Sequence, residues 1–256
     1  MFTSTNSYDS HMQLSMTDYR LFKKAFEEAK EEAANGASKE ARFQPYSFEG
    51  GTVAAIAGED FVVIGGDTRM STNGSVVQSR HLDKVFKLSG DVILASTGFY
   101  GDLQQLVRVL RARMKVYQFT YNEPMNVCAA AEMLARTLYY KRFFPYYTSN
   151  ILVGIDPQGK GALYHYDPVG NIERSNCDVS GAGTEIMQPF LDNQVSWTNK
   201  SPKSRPPLTI DRAKKILRDG FRAVAERETS TGDGLVLITI AAKKPIEEET
   251  VPLRGD

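Results

Sequence analysis

Asp67-Thr68-Arg69 follows directly on an apolar, β-branched stretch, and Lys84 leads into another. Charged residues at the ends of buried strands can converge at one end of a sheet. There they can take part in chemistry, or they can form a structural ion pair or anchor a loop. Other chemistries find less support. His11, His81 and His165 are the only histidines, and none belongs to a His-Glu-x-x-His or Cys/His cluster of the kind that holds zinc. No Walker-type phosphate loop occurs, and no Gly-x-Gly-x-x-Gly follows a strand. Gly181-Ala182-Gly183 precedes a helix, where it can receive an anion or simply make a tight strand-to-helix turn. Trp197 is isolated and reads as a packing or contact residue. No metal and no cofactor is expected.

The elements that must position these residues follow from periodicity. Thr52–Ala57 and Phe61–Ile64 read as a hairpin through Gly58-Glu59-Asp60, and short strands follow at 76–79, 85–88 and 92–96. Leu103, Leu106, Val107, Leu110, Met114 and Tyr117 recur at helical spacing. So do Val127, Ala130, Ala131, Leu134 and Leu138, with Pro124 near the helix start. Strands return at 151–155, 163–166 and 172–179, with a turn at Asp167-Pro168-Val169-Gly170. Helices are predicted over 184–192 and 209–227, around an exposed loop at 199–207, and closing strands at 234–241 and 246–251. Strands, two helices, strands, two helices, strands predict an α+β fold, a four-layer α-β-β-α sandwich. Residues 1–41 stand apart as an N-terminal extension or pro-segment: a polar start, then an amphipathic helix from Asp18 to about Ala34 that Asn35-Gly36 would stop.

The chain has 256 residues, 41% hydrophobic and 24% charged, which excludes a collagen, a coiled coil or a largely disordered chain. Lys plus Arg and Asp plus Glu both number 31, so no sequence-wide electrostatic case for nucleic acid or an anionic membrane exists. Cys128 and Cys177 make no disulfide framework and read as reduced thiols. The longest clean apolar run, Leu235–Ala242, is too short to span a bilayer, and the first twenty residues lack a signal-peptide core. A cytoplasmic or nuclear protein is expected.

Gly50-Gly51-Thr52, Asp67-Thr68-Arg69, Lys84, Ser96-Thr97-Gly98, Gly181-Ala182-Gly183-Thr184 and Thr231-Gly232-Asp233-Gly234, in this order and spacing, resemble proteasome beta-type subunits. Several stretches resemble the beta-6 members, which are non-catalytic: Arg42-Phe43 with Pro45-Tyr46, Ala57–Phe61, Lys141–Tyr147, Tyr166–Gly170 and Pro189–Val195. The resemblance covers residues 42–256. It implies an N-terminal nucleophile hydrolase fold. It also implies partners among the other alpha- and beta-type subunits of the 20S core, and assembly chaperones. In active members a threonine freed at the mature N-terminus attacks the peptide carbonyl. Its α-amine, with an ordinary pKa of about 7.7–8.0, accepts the proton, while a lysine and an aspartate support the anion.

Carried over residue by residue, the aspartate falls on Asp67 and the lysine on Lys84. The helper serine falls on Ala182, and the helper aspartate on Glu228 with its partner hydroxyl on Thr231. Counted back from Asp67, the nucleophile falls on Gly51, which has no hydroxyl; counted back from Lys84, it falls on Thr52. A one-residue insertion in the Met70–Gly74 turn reconciles the counts in favour of Gly51, since moving Thr52 into that slot would turn its side chain to the other sheet face. A non-catalytic subunit is therefore expected. Its rivals are an active threonine protease that cleaves between Gly51 and Thr52, and a free-standing binding module on the same fold.

Overall fold

A computed structural model of the chain describes residues 24, 46–47, 49–72, 74–197, 201, 206–242 and 244–255. The chain divides into two units, Met1–Pro45 and Tyr46–Asp256, and the fold below is that of the second. The helix expected over 18–34 lies, Lys24 apart, outside the described residues.

Two five-stranded antiparallel sheets form the centre. The first has the order β10-β1-β2-β11-β12, from β1 (Thr52–Ala57), β2 (Phe61–Asp67), β10 (Cys177–Gly181), β11 (Gly234–Ala241) and β12 (Glu247–Pro252). The second runs β5-β6-β7-β8-β9, from β5 (Val85–Ser89), β6 (Val92–Gly98), β7 (Thr148–Ile155), β8 (Gly161–Tyr166) and β9 (Ile172–Ser175). A small ladder pairs β3 (Met70–Thr72) with β4 (Val76–Ser79). Alternation sorts the side chains. Val53 and Ala55 of β1 meet Ile93, Ala95, Ile151 and Val153 between the sheets, while Ala54 and Ile56 face outward.

Each outer face carries a helical pair. α1 (Tyr100–Tyr121) and α2 (Val127–Tyr140) bury Leu106, Leu110, Leu134 and Leu138 against the second sheet. α3 (Thr184–Leu191) and α4 (Ile210–Ala225) bury Met187, Leu217, Phe221 and Val224 against the first. The result is the expected four-layer α-β-β-α sandwich. Asn126 caps α2 by accepting the Ala129 N–H at 2.9 Å, and Thr209 caps α4 by accepting that of Arg212 at 3.3 Å.

Three local differences from the sequence reading matter. The strand predicted over 172–179 is two strands in different sheets: β9 pairs with β8 and β10 with β1. The chain changes sheet at Asn176, whose carbonyl accepts the Ala57 N–H at 2.8 Å. The Met70–Gly74 turn contains β3, and its ladder with β4 shifts register: Met70 lies opposite Ser79 and Ser71 opposite Val77, which leaves Gln78 of β4 as the extra residue. Finally, α3 runs on into a π turn, Asp192–Ser196, which ends at the left-handed Trp197. Trp197 is buried, with Arg212 over its ring.

Candidate functional site

β2 ends in Asp67, and the chain returns through Lys84 into β5, so the two charged residues meet at one end of the first sheet. Lys84 Nζ donates to Asp67 Oδ1 at 2.8 Å and also to the Arg69 carbonyl. The side chains are 4% and 0% exposed. Asp67 Oδ1 also accepts the Thr52 N–H at 2.7 Å, and Oδ2 accepts those of Arg69 at 3.2 Å and Gly232 at 3.3 Å. Burial pushes the Asp67 carboxyl up, against the pull of Lys84 and the backbone donors. Burial pushes the Lys84 ammonium down, against the attraction of Asp67.

Gly51 stands against this pair. A Cβ built on it would lie 2.1 Å from Lys84 Nζ and 2.9 Å from Asp67 Oδ1. Gly50 and Gly51 have φ of 71° and 84°, in the left-handed region that favours glycine. The Gly51 carbonyl accepts the Ala182 N–H at 2.9 Å. The next hydroxyl along the chain after Gly51 belongs to Thr52, which is fully buried and points elsewhere. Its Oγ1 accepts the Gly183 N–H at 2.9 Å and shares a 2.7 Å hydrogen bond with Thr231 Oγ1. Gly183 is the N-cap of α3 and has no side chain of its own to offer, so Thr52 serves as that helix's cap from another element. The Gly181-Ala182-Gly183 turn thus spends two of its backbone N–H groups inside the protein.

The remaining sequence-assigned residues divide. Thr231 reaches the site through Thr52, and Ala182 through its backbone. Glu228 does not meet the Thr231 hydroxyl as the carry-over suggested. Its Oε1 accepts the Ser230 N–H at 3.2 Å and the Ser230 hydroxyl at 2.6 Å, a tighter local turn that leaves Thr231 facing Thr52. Sequence reasoning missed a second cluster beside the first. Arg69 pairs with Asp233 at 2.8 Å and donates to the Thr229 carbonyl at 2.9 Å. Arg80 also pairs with Asp233 and donates to the Gly255 carbonyl at 2.8 Å. Burial raises the Asp233 pKa, but Arg69 and Arg80 outweigh it and hold the carboxyl below its usual value. The arrangement of Arg69, two residues after Asp67, and Asp233, two after Thr231, was the available signal. A β2–β3 turn and a β11 entry lying side by side put both pairs in register.

At the edge of the site Tyr46 stacks edge-on against Phe99, with 5.8 Å between ring centroids, and also meets Phe144 and Tyr147. Its hydroxyl donates to the Pro145 carbonyl at 3.4 Å. Tyr46 thus meets Phe144 and Pro145, while Arg42–Pro45 lie outside the described residues. Among the described residues no group of three or more His, Cys, Asp or Glu could hold a metal ion.

A stacked pair of sheets between helical pairs, with a buried Asp–Lys pair facing the residue before β1, is the frame of a proteasome subunit. The family's sequence pattern matches residues 47–240, and the chain belongs to the proteasome subunit family, with its N-terminal nucleophile hydrolase fold. Within it the chain is of the beta type. It is 47% identical over 216 residues to proteasome subunit beta type-1 of Caenorhabditis elegans, covering 84% of both chains. The beta type-1 protein of Danio rerio is 43% identical over 217 residues, 85% of this chain and 91% of its own. Proteasome subunit beta type-6 of Saccharomyces cerevisiae is 39% identical over 226 residues, 85% and 93%.

Proposed function

We propose that this proteasome beta subunit is non-catalytic and resembles the beta-6 position of the 20S core. In this reading it supports ring assembly and, through the assembled particle, ubiquitin-dependent and other proteasomal protein degradation in cytoplasm and nucleus. The observation that carries the reading is Gly51. A nucleophile in this fold must stand next to the lysine and aspartate that lower the cost of its anion. The residue next to Lys84 and Asp67 has no hydroxyl, and Lys84 Nζ fills the space where a side chain would begin. Thr52, the rival nucleophile, caps α3 instead, and its N–H is held by Asp67. The Asp67–Lys84 pair then serves as a buried structural tie.

In the particle the chain's partners are other alpha- and beta-type subunits, with assembly chaperones acting before the rings close. Residues 1–41 act as a pro-segment, and trimming leaves a mature N-terminus near Arg42. Gly51 supplies no hydroxyl for self-cleavage, so the cut falls to an active neighbour.

Intact-mass and N-terminal analysis of the chain from mature particles, with exposure to a threonine-directed electrophile, tests the reading. A start near Arg42 and no covalent adduct are expected. A start at Thr52, or stoichiometric modification of Thr52, would establish the active-protease reading instead. Retention of Met1–Ala41 would reject trimming alone. A native mass equal to the free chain, in cells where the other subunits are assembled, would reject assembly.

A further inference from the structure

A groove of about 860 Å³ runs between α1 and β5, lined by none of the residues of the buried site. Its rim carries Arg108, Arg111 and Lys115 from α1 and Lys87 from β5; no carboxylate and no aromatic residue lines it. The three α1 cations are spaced i, i+3, i+7. A rise of 1.5 Å per residue therefore spreads them over about 10 Å along the helix. Arg108, Arg111 and Lys115 are all exposed. Arg111 is held in place, since its guanidinium donates twice to the Lys87 carbonyl, at 2.9 and 3.3 Å. Lys87 also pairs at 2.7 Å with a carboxylate of the chain itself, Glu248, which lies outside the groove lining. Gln104 and Gln118 add amides that can both donate and accept, and Leu88 and Met114 supply apolar surface between the charges.

We propose that this groove binds an extended acidic peptide segment of a neighbouring protein chain. Alternate side chains of an extended strand point the same way and repeat every 6.5–7 Å or so, so a segment with Asp or Glu at every second position places successive carboxylates along the cation row. The amides suit a peptide backbone, and the apolar surface suits the intervening side chains. Nucleic acid fits less well. A single strand gains much of its affinity by stacking bases on aromatic rings, of which the groove has none, and the chain has no net positive charge to draw a polyanion from afar. The inference does not rest on the non-catalytic reading, because peptide binding is measured without any reference to peptidase activity.

The test uses the purified full-length chain and a fluorescein-labelled peptide, acetyl-(Glu-Ala)₃-amide, followed by anisotropy at low and moderate salt. Binding that weakens with salt is expected, together with a loss of about tenfold in the double variant Arg108→Glu/Lys115→Glu, as two reversed exposed charges give. Lys215→Glu, an exposed cation on α4 remote from the groove, should bind as the wild type does. Unchanged melting temperatures would show that the variants fold, as their exposure leads one to expect. Equal affinity in the double variant, or no binding at all, would overturn the proposal. So would a single-stranded oligonucleotide of the same charge that binds more tightly than the peptide and loses its affinity in the same variant.

Discussion

Replacing Asp67 by asparagine keeps the shape of the side chain and removes its charge and one acceptor. Each carboxylate oxygen now serves two donors: Oδ1 takes Thr52 N–H and Lys84 Nζ, and Oδ2 takes Arg69 N–H and Gly232 N–H. Whichever way an amide turns, its NH₂ group faces two of these four, and the buried ammonium of Lys84 loses its counter-charge. Removing one partner of a buried pair costs about 3–5 kcal/mol, which lowers the melting temperature of a chain this size by roughly 6–20 °C. Lys84→Met should cost less, about 1–3 kcal/mol, because Asp67 retains three backbone donors. The double variant should fall short of the sum by about 1–3 kcal/mol. Urea unfolding of the full-length chain, read by circular dichroism, supplies all three values. In Asp67→Asn the ammonium of Lys84 is held further below its unfolded pKa of about 10.4, so the unfolded state binds more protons and the variant gains stability as pH rises towards that value. An Asp67→Asn variant within about 1 kcal/mol of wild type, or additive single effects, would refute the buried tie.

Gly51→Ala should destabilise by more than the 1–3 kcal/mol or so of left-handed strain alone, because its Cβ meets Lys84 Nζ at 2.1 Å; equal stability in urea would contradict the geometry. Thr52→Val should cost about 1–3 kcal/mol by orphaning the Gly183 N–H and the Thr231 hydroxyl, and amide exchange should accelerate at Gly183 in the first turn region of α3. Asp233 has a folded pKa depressed by Arg69 and Arg80, so its contribution is fully present above the unfolded value of about 3.9 and is lost as pH falls through the lower folded value. Asp233→Asn should therefore be less stable than wild type at neutral pH and lose less stability on acidification below about pH 4, as urea midpoints measured across that range will report.

The sandwich was legible because its signals are local and periodic: alternation in β1, helical spacing of Leu103, Leu106 and Leu110, and turn chemistry at Asp167–Gly170. The split of 172–179 was not, because Ile172 is the only apolar residue before Asn176, too little pattern to set β9 apart from β10, and strand partners are tertiary. β3 escaped notice because three residues carry too little pattern. At the site, the sequence put Asp67 and Lys84 at two strand ends, where the structure pairs them. The Glu228–Ser230 bond is local, but the carry-over paired Glu228 with Thr231 and so passed over it. The Arg69–Asp233–Arg80 cluster depends on how loops distant in sequence lie beside one another, which spacing within either loop does not encode.

The left-handed pair Gly50-Gly51 also constrains what this chain can become. A hydroxyl-bearing residue at position 51 would have to adopt a backbone conformation that L-residues rarely take, in space already held by an ammonium, beside a carbonyl bonded to Ala182. No single amino-acid exchange there relieves all three constraints, because each belongs to a different segment. Position 51 is held from three sides at once, so hydroxyl chemistry there calls for a different backbone path, a displaced lysine and an altered contact with the α3 entry together.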